Sequence, residues 1–131
     1  MSKRVLETPH APKTIGPYSA AVDAGDLVFL SGQVGLDPET GHRAGEDVVS
    51  QAQRAMANIE GILGDVGLGM EDIVKSTIFL AHIDDFGVVN EVYARFFETA
   101  PPARSTVQAA GLPGGFLVEI EVIAAKRDKE A

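Results

Sequence analysis

The chain contains no cysteine. That absence excludes a disulfide, a thiolate nucleophile and any cysteine-held metal. Positive charge is nearly as scarce through the body of the sequence. Between Thr14 and Ala125 sixteen acidic residues stand against five basic ones, Arg43, Arg54, Lys75, Arg95 and Arg104, and the whole chain carries a formal net charge of -8. A nucleic-acid binder needs clustered lysine and arginine to neutralise phosphates, so the charge argues against that class. Six of the eleven basic residues lie in the first 13 or last 6 positions, where they read as solvated ends. Long apolar runs are missing too: none approaches the roughly 18 residues of a membrane span. The opening Met1-Ser2-Lys3-Arg4-Val5-Leu6-Glu7 carries charge without the apolar stretch of a signal peptide. No membrane association and a cytoplasmic location are therefore expected. His10, His42 and His82 show no metal-ligand spacing and Ser31 lacks a Gly-x-Ser-x-Gly elbow, which disfavours metal or classical serine hydrolase chemistry.

What is present is an ordinary globular composition, 45% hydrophobic and 23% charged. At 131 residues the chain reads as one domain over 1–131, able to bury about two-thirds of the surface its unfolded form exposes. Tyr18 to Val22 and Leu27 to Val34 are apolar runs separated by Asp23-Ala24-Gly25-Asp26, the composition of a hairpin turn. Asp37-Pro38-Glu39-Thr40-Gly41 reads as a turn or loop. Val48, Ala52, Ala55, Ile59, Ile62 and Val66 recur at spacings of 4, 3, 4, 3 and 4, one stripe on a helix, with Glu46 and Asp47 at its start and Gly67 at its end. Gly61 and Gly64 inside that helix imply something packed close against it. Ile73 to Leu80 has strand composition. Asp84-Asp85 offers an N-cap to a second helix marked by Phe86, Val89, Tyr93, Phe96 and Phe97. Arg104 to Ala110 and Phe116 to Ala125 read as the last two strands, around the loop Gly111-Leu112-Pro113-Gly114-Gly115. The order strand, strand, helix, strand, helix, strand, strand predicts an α+β sandwich, a mixed β-sheet with two helices packed on one face. Its other face holds more apolar residues than two helices can cover, which points to an oligomer.

Three positions resist a purely structural explanation. Arg104 follows the rigid Pro101-Pro102-Ala103, and its planar fork of donors matches a carboxylate: it either anchors a loop by pairing with an acid or binds a small carboxylic acid. Asn90 falls on the line Phe86, Asn90, Tyr93, Phe97, where an amide among aromatics either ties down a loop or faces a ligand. In the last strand Phe116, Val118, Ile120, Val122 and Ala124 alternate with Leu117, Glu119, Glu121 and Ile123, so one face is apolar and the other carries two carboxylates, for solvent, a subunit contact or a reaction.

Taken in order, Ile15-Gly16-Pro17-Tyr18-Ser19, Ser31-Gly32-Gln33, Asp37-Pro38-Glu39-Thr40-Gly41, Asn58, Asp85-Phe86, Asn90, Tyr93, Pro102-Ala103-Arg104-Ser105, Leu112-Pro113 and Val118-Glu119-Ile120-Glu121 closely resemble the reactive intermediate deaminase family, also called Rid or YjgF, over nearly the whole chain. The resemblance implies a chorismate-mutase-like fold and a homotrimer, with sheets in a central barrel, helices outside and sites between subunits. It implies hydrolysis of enamine and imine acids, such as 2-aminoacrylate and 2-iminopropanoate, to 2-oxo acids and ammonia, with no cofactor or metal. Carried over, Arg104 holds the substrate carboxylate, Glu119 positions the attacking water, and Tyr18, Ser31, Gly32 and Asn90 line the cleft, while Glu121 is structural. The chain departs from the pattern in a short loop before Arg104 and in Thr106, where many members have cysteine. Rival expectations are a non-catalytic acid-binding or protein-stabilising trimer, a ribonuclease, which the charge disfavours, and a chorismate mutase, for which one arginine is a thin basis.

Overall fold

The computed structural model of the chain describes residues 3–127. Eight regular elements build it: β1 (Arg4–Val5), β2 (Ala21–Asp23), β3 (Leu27–Gln33), α1 (Val48–Asp65), β4 (Ile73–Leu80), α2 (Phe86–Ala94), β5 (Ala103–Gln108) and β6 (Val118–Ala125). The strands form one six-stranded sheet in the order β1-β2-β3-β6-β4-β5, antiparallel throughout except for the parallel β4–β5 pair that α2 connects. The sheet is mixed, with two helices, as expected.

Helix α1 begins where Asp47 accepts from the Ser50 amide at 2.8 Å and ends before Gly67, whose φ of 81° favours a residue without a side chain. Its stripe of Ala52, Ala55, Met56, Ile59, Ile62 and Leu63 is buried against Val28, Leu30, Ile78, Val118, Ile120 and Val122 of the sheet. The alternation expected in the last strand holds: Val118, Ile120, Val122 and Ala124 are buried, and Glu119 and Glu121 point to the other face. That other face stays uncovered in a single chain, leaving Phe29 and Val107 exposed.

Several expectations need correction. The first hairpin begins later than its apolar run, because of Tyr18 to Ala20 only the Ala20 carbonyl reaches the ladder, accepting from Ser31 at 2.9 Å. Asp23 belongs to β2 and is buried, and the turn proper is Ala24-Gly25-Asp26. Three of the six terminal charges, Arg4, Lys126 and Arg127, are paired, while Lys129 lies outside the described residues. Arg4 in the unforeseen strand β1 and Lys126 donate to Asp23 at 3.1 and 2.8 Å, and Arg127 pairs with Asp72 and Glu71. The Lys126 hydrogen bond, then the Gly25 amide and Arg4, hold the Asp23 carboxyl well below the usual carboxylate range. Of the two helix glycines, only Gly61 has a close neighbour, His10, whose Cβ would lie 3.2 Å from an added Cβ; Gly64 faces open space. Neither Asp84 nor Asp85 caps α2 through its side chain, because both lie in a 3-10 turn at residues Ile83–Asp85 that satisfies the first amides by backbone bonds. Phe96 and Phe97 fall beyond α2, Ala109 and Ala110 beyond β5, and Phe116 and Leu117 before β6.

Thr106 on β5 has a buried hydroxyl with no hydrogen-bond partner among the described residues. A buried unpaired hydroxyl costs stability, so Thr106→Val is expected to stabilise the fold by about 1 kcal/mol, raising the melting temperature by roughly 3–5 °C for a domain of this size. A melt followed by circular dichroism that shows a lower midpoint would mean that the hydroxyl is paired in solution.

Candidate active site

Tyr18, Ser31, Gly32 and Glu119 line one cleft of about 500 Å³, together with Lys13, Ile15, Leu36, Phe116 and Glu121. Strands β3 and β6 form its floor. Gly32 is required by its neighbour: a Cβ there would lie 2.0 Å from Glu119 Oε2, so any side chain would displace the carboxylate. The Ser31 hydroxyl donates to the Ser19 carbonyl at 2.6 Å, which holds the segment carrying Tyr18 against the cleft. Burial, and then the nearby charge of Glu121, push the Glu119 carboxyl above its ordinary pKa. Glu121 is exposed and lines the same cleft.

Two buried amides that the hydrophobic stripe overlooked hold the cleft walls. Gln51 accepts from the Leu117 amide at 2.7 Å and donates to the Gly45 carbonyl at 3.1 Å, while Asn58 donates to the carbonyls of Val34 and Leu36 at 3.3 and 2.9 Å. Both are 1% exposed. Their signal was spacing, since Gln51, Ala55, Asn58 and Ile62 continue the helical rhythm of the apolar face.

Arg104 is elsewhere. Its register partner across β4 is Ser76, which is buried on the helix side and accepts from the Tyr93 hydroxyl at 2.9 Å. The guanidinium lies 5.0 Å from the Tyr93 ring centroid and 5.5 Å from that of Phe86. Burial raises the Tyr93 hydroxyl pKa, which keeps it neutral beside the cation, against smaller lowering effects from the Ser76 hydrogen bond and Arg104. Asn90 lies one turn from Phe86 and one from Tyr93, on the face of α2 that carries those rings. It is partly buried and makes no side-chain hydrogen bond among those found in the described residues. Arg104 likewise joins no salt bridge among the described residues. The expected site residues thus separate into two groups on opposite faces of the sheet. Tyr18, Ser31, Gly32 and Glu119 form one, and Arg104 with Asn90 forms the other.

A second cavity of about 500 Å³ lies beside Arg4, Asp23, Lys126 and Arg127, and these four charged groups are engaged with one another or with Asp72 and Glu71.

Residues 8–126 match the family model described as Endoribonuclease L-PSP. Protein DfrA of Myxococcus xanthus is 51% identical over 95% of this chain and 96% of its own length. The 2-iminobutanoate/2-iminopropanoate deaminase of Mus musculus is 45% identical over 93% of this chain and 90% of its own. Among solved structures, the Rid family protein YyfA of Yersinia pestis superposes with a TM-score of 0.92 at 43% identity, covering 95% of this chain and 100% of that one. The chain belongs to the reactive intermediate deaminase (Rid, YjgF) family and has its chorismate-mutase-like fold.

Proposed function

We propose that the chain is a hydrolase of reactive 2-imino acids, working as a homotrimer whose sites form between neighbouring subunits. The observation that carries this reading is the separation of Arg104 from Glu119: a carboxylate clamp and a raised carboxyl on opposite faces of one sheet can meet only if a second chain supplies one of them. The uncovered apolar face supplies the surface for that assembly. In the reaction Arg104 grips the carboxylate of the substrate, an interaction the rings of Phe86 and Tyr93 favour by holding the guanidinium plane. The protonated imine is already electrophilic, so orientation and proton handling suffice. Glu119 takes a proton from water as the water oxygen bonds to the imine carbon, giving a carbinolamine. That proton passes to nitrogen, the C–N bond breaks as Glu119 takes the hydroxyl proton, and a 2-oxo acid and ammonia result, the ammonia leaving with that proton as ammonium.

Supplying imines in situ with an amino-acid oxidase, and following 2-oxo acid release with and without the protein, tests the reading. Glu119→Gln is expected to lose roughly 10²–10⁴-fold in rate, the usual contribution of a general base. Glu121→Gln retains most activity. The pH dependence follows from the raised Glu119 pKa. The base must be ionised, so activity falls as pH drops through a value above the ordinary glutamate range. The folded state also binds the proton more tightly than the unfolded one, so this group costs stability as pH rises through that window. Glu119→Gln should therefore melt at or above the native temperature at neutral pH while losing turnover. Equal activity losses in both glutamate variants would remove the assignment. Binding of 2-oxo acids with no acceleration of imine hydrolysis would favour a non-catalytic acid-binding trimer.

A further inference from the structure

Arg43 lies in the turn after β3, yet it is not a free surface charge. Its guanidinium stacks 4.1 Å above the centroid of the Phe116 ring and donates to the Gly114 carbonyl, closing a contact across more than seventy residues of chain. The loop it holds contains Gly114 and Gly115, with φ of 75° and 70°, a backbone that has few preferences of its own and leads directly into β6. Arg43 also bridges to Leu36, so the stack joins the 36–43 hairpin to the 113–116 loop. Leu36, Pro113 and Phe116 all line the cleft.

Leu36 and Phe116 lie just past the end of β3 and just before the start of β6, and they line the same cleft as Glu119, which stands three residues along the chain from Phe116. A three-carbon imine acid fills little of a cleft of about 500 Å³, a size that accommodates much larger ligands. An aliphatic or aromatic side chain on the imine carbon fills more of it and buries apolar surface against Phe116 and Leu36.

We propose that Arg43 is a positioning residue that, by stacking on Phe116, fixes the wall of a side-chain subsite, and that the preferred substrates are 2-imino acids with bulky aliphatic or aromatic side chains. This rests on the deaminase reading above, deepening it to a substrate class. The full chain is assayed with imines generated from alanine, leucine and phenylalanine. The native protein is expected to favour the two larger imines by about tenfold or more in kcat/KM, the discrimination an apolar pocket gives per added group. Phe116→Ala abolishes that preference, read as the ratio of kcat/KM between the larger imines and the alanine-derived one. Arg43→Ala moves the ratio in the same direction through KM, and Arg43→Lys restores only part of it because an ammonium lacks the planar stack. The double variant behaves as Phe116→Ala alone, since the arginine acts through the ring. A native preference for the alanine-derived imine, equal losses on all imines in Arg43→Ala, or additive effects in the double variant would overturn the proposal. Calorimetric binding of pyruvate, 4-methyl-2-oxopentanoate and phenylpyruvate separates it from the parent reading. Absent turnover with a size preference that Arg43→Ala erases would defeat only the deaminase assignment. Turnover with no size preference would defeat only the subsite, and binding of none of the three acids with no turnover would defeat both.

Discussion

Arg104→Lys is expected to lose most imine hydrolysis while the fold and the assembly persist. Lysine retains the charge and loses the two-pronged donor geometry that orients a carboxylate, as well as the flat surface that Phe86 and Tyr93 hold at 5.5 and 5.0 Å. Truncating one member of a desolvated charge pair costs on the order of 2–5 kcal/mol, which is roughly thirtyfold to several-thousandfold in rate. Arg104→Ala is expected to be at least as damaging. Because the guanidinium has no acidic partner among the described residues, its removal strands no opposing buried charge, and the melting temperature should change little. Near-native turnover in either variant, with a destabilised protein, would make Arg104 a structural anchor and remove the mechanism.

The second large effect is a gain. Arg104→Ala and Glu119→Gln chains, each inactive alone, are expected to recover activity when unfolded and refolded together. Arg104 shares the helix side of the sheet with Ser76, whereas Glu119 pairs with Phe79 and projects from the opposite side. A site drawing its arginine from one subunit and its glutamate from the next is intact wherever a Glu119→Gln chain supplies the arginine and an Arg104→Ala chain the glutamate. In an equal mixture of trimers that arrangement arises at roughly one site in four. Recovered kcat near a quarter of the native value per chain, with unchanged KM, supports shared sites. No recovery from mixed trimers, confirmed as mixed by mass spectrometry, would show that each chain carries its whole site.

Much of the fold was legible because it rests on local periodicity. The stripe on α1, the start at Asp47, the stop at Gly67 and the bounds of β4 all follow from side chains within a few residues of one another. Strand β1 was not legible, since Arg4–Val5 is a strand only by pairing with Val22 and Asp23, far along the chain. Gln51 escaped for a different reason, and Asn58 entered only through the family resemblance. A hydrophobic pattern assigns amides to the surface, whereas these are buried because the backbone of the cleft walls needs their donors and acceptors. Arg43 had no local signal of its contact, since its partner Phe116 lies in another third of the sequence. Among the proposed site residues, Arg104 stood out by its isolation, Asn90 by its place among aromatics and Glu119, together with Glu121, by alternation, while Tyr18, Ser31 and Gly32 came from the family resemblance alone. The relation of Arg104 to Glu119 was not legible. Alternation shows which neighbours within one strand share a face, but which side Arg104 shares with the helices depends on the β4–β5 register.

The placement of those two residues also has a genetic meaning. Each protomer in such an assembly would contribute an arginine to one site and a glutamate to another, so no chain would own the chemistry it takes part in. A protomer with both residues substituted would still be recruited, because neither lies in the core that builds the fold. It would then spoil the two sites it shares with sound neighbours. A defective copy of the gene would therefore behave as a dominant trait, reducing output by more than its share of the protein pool.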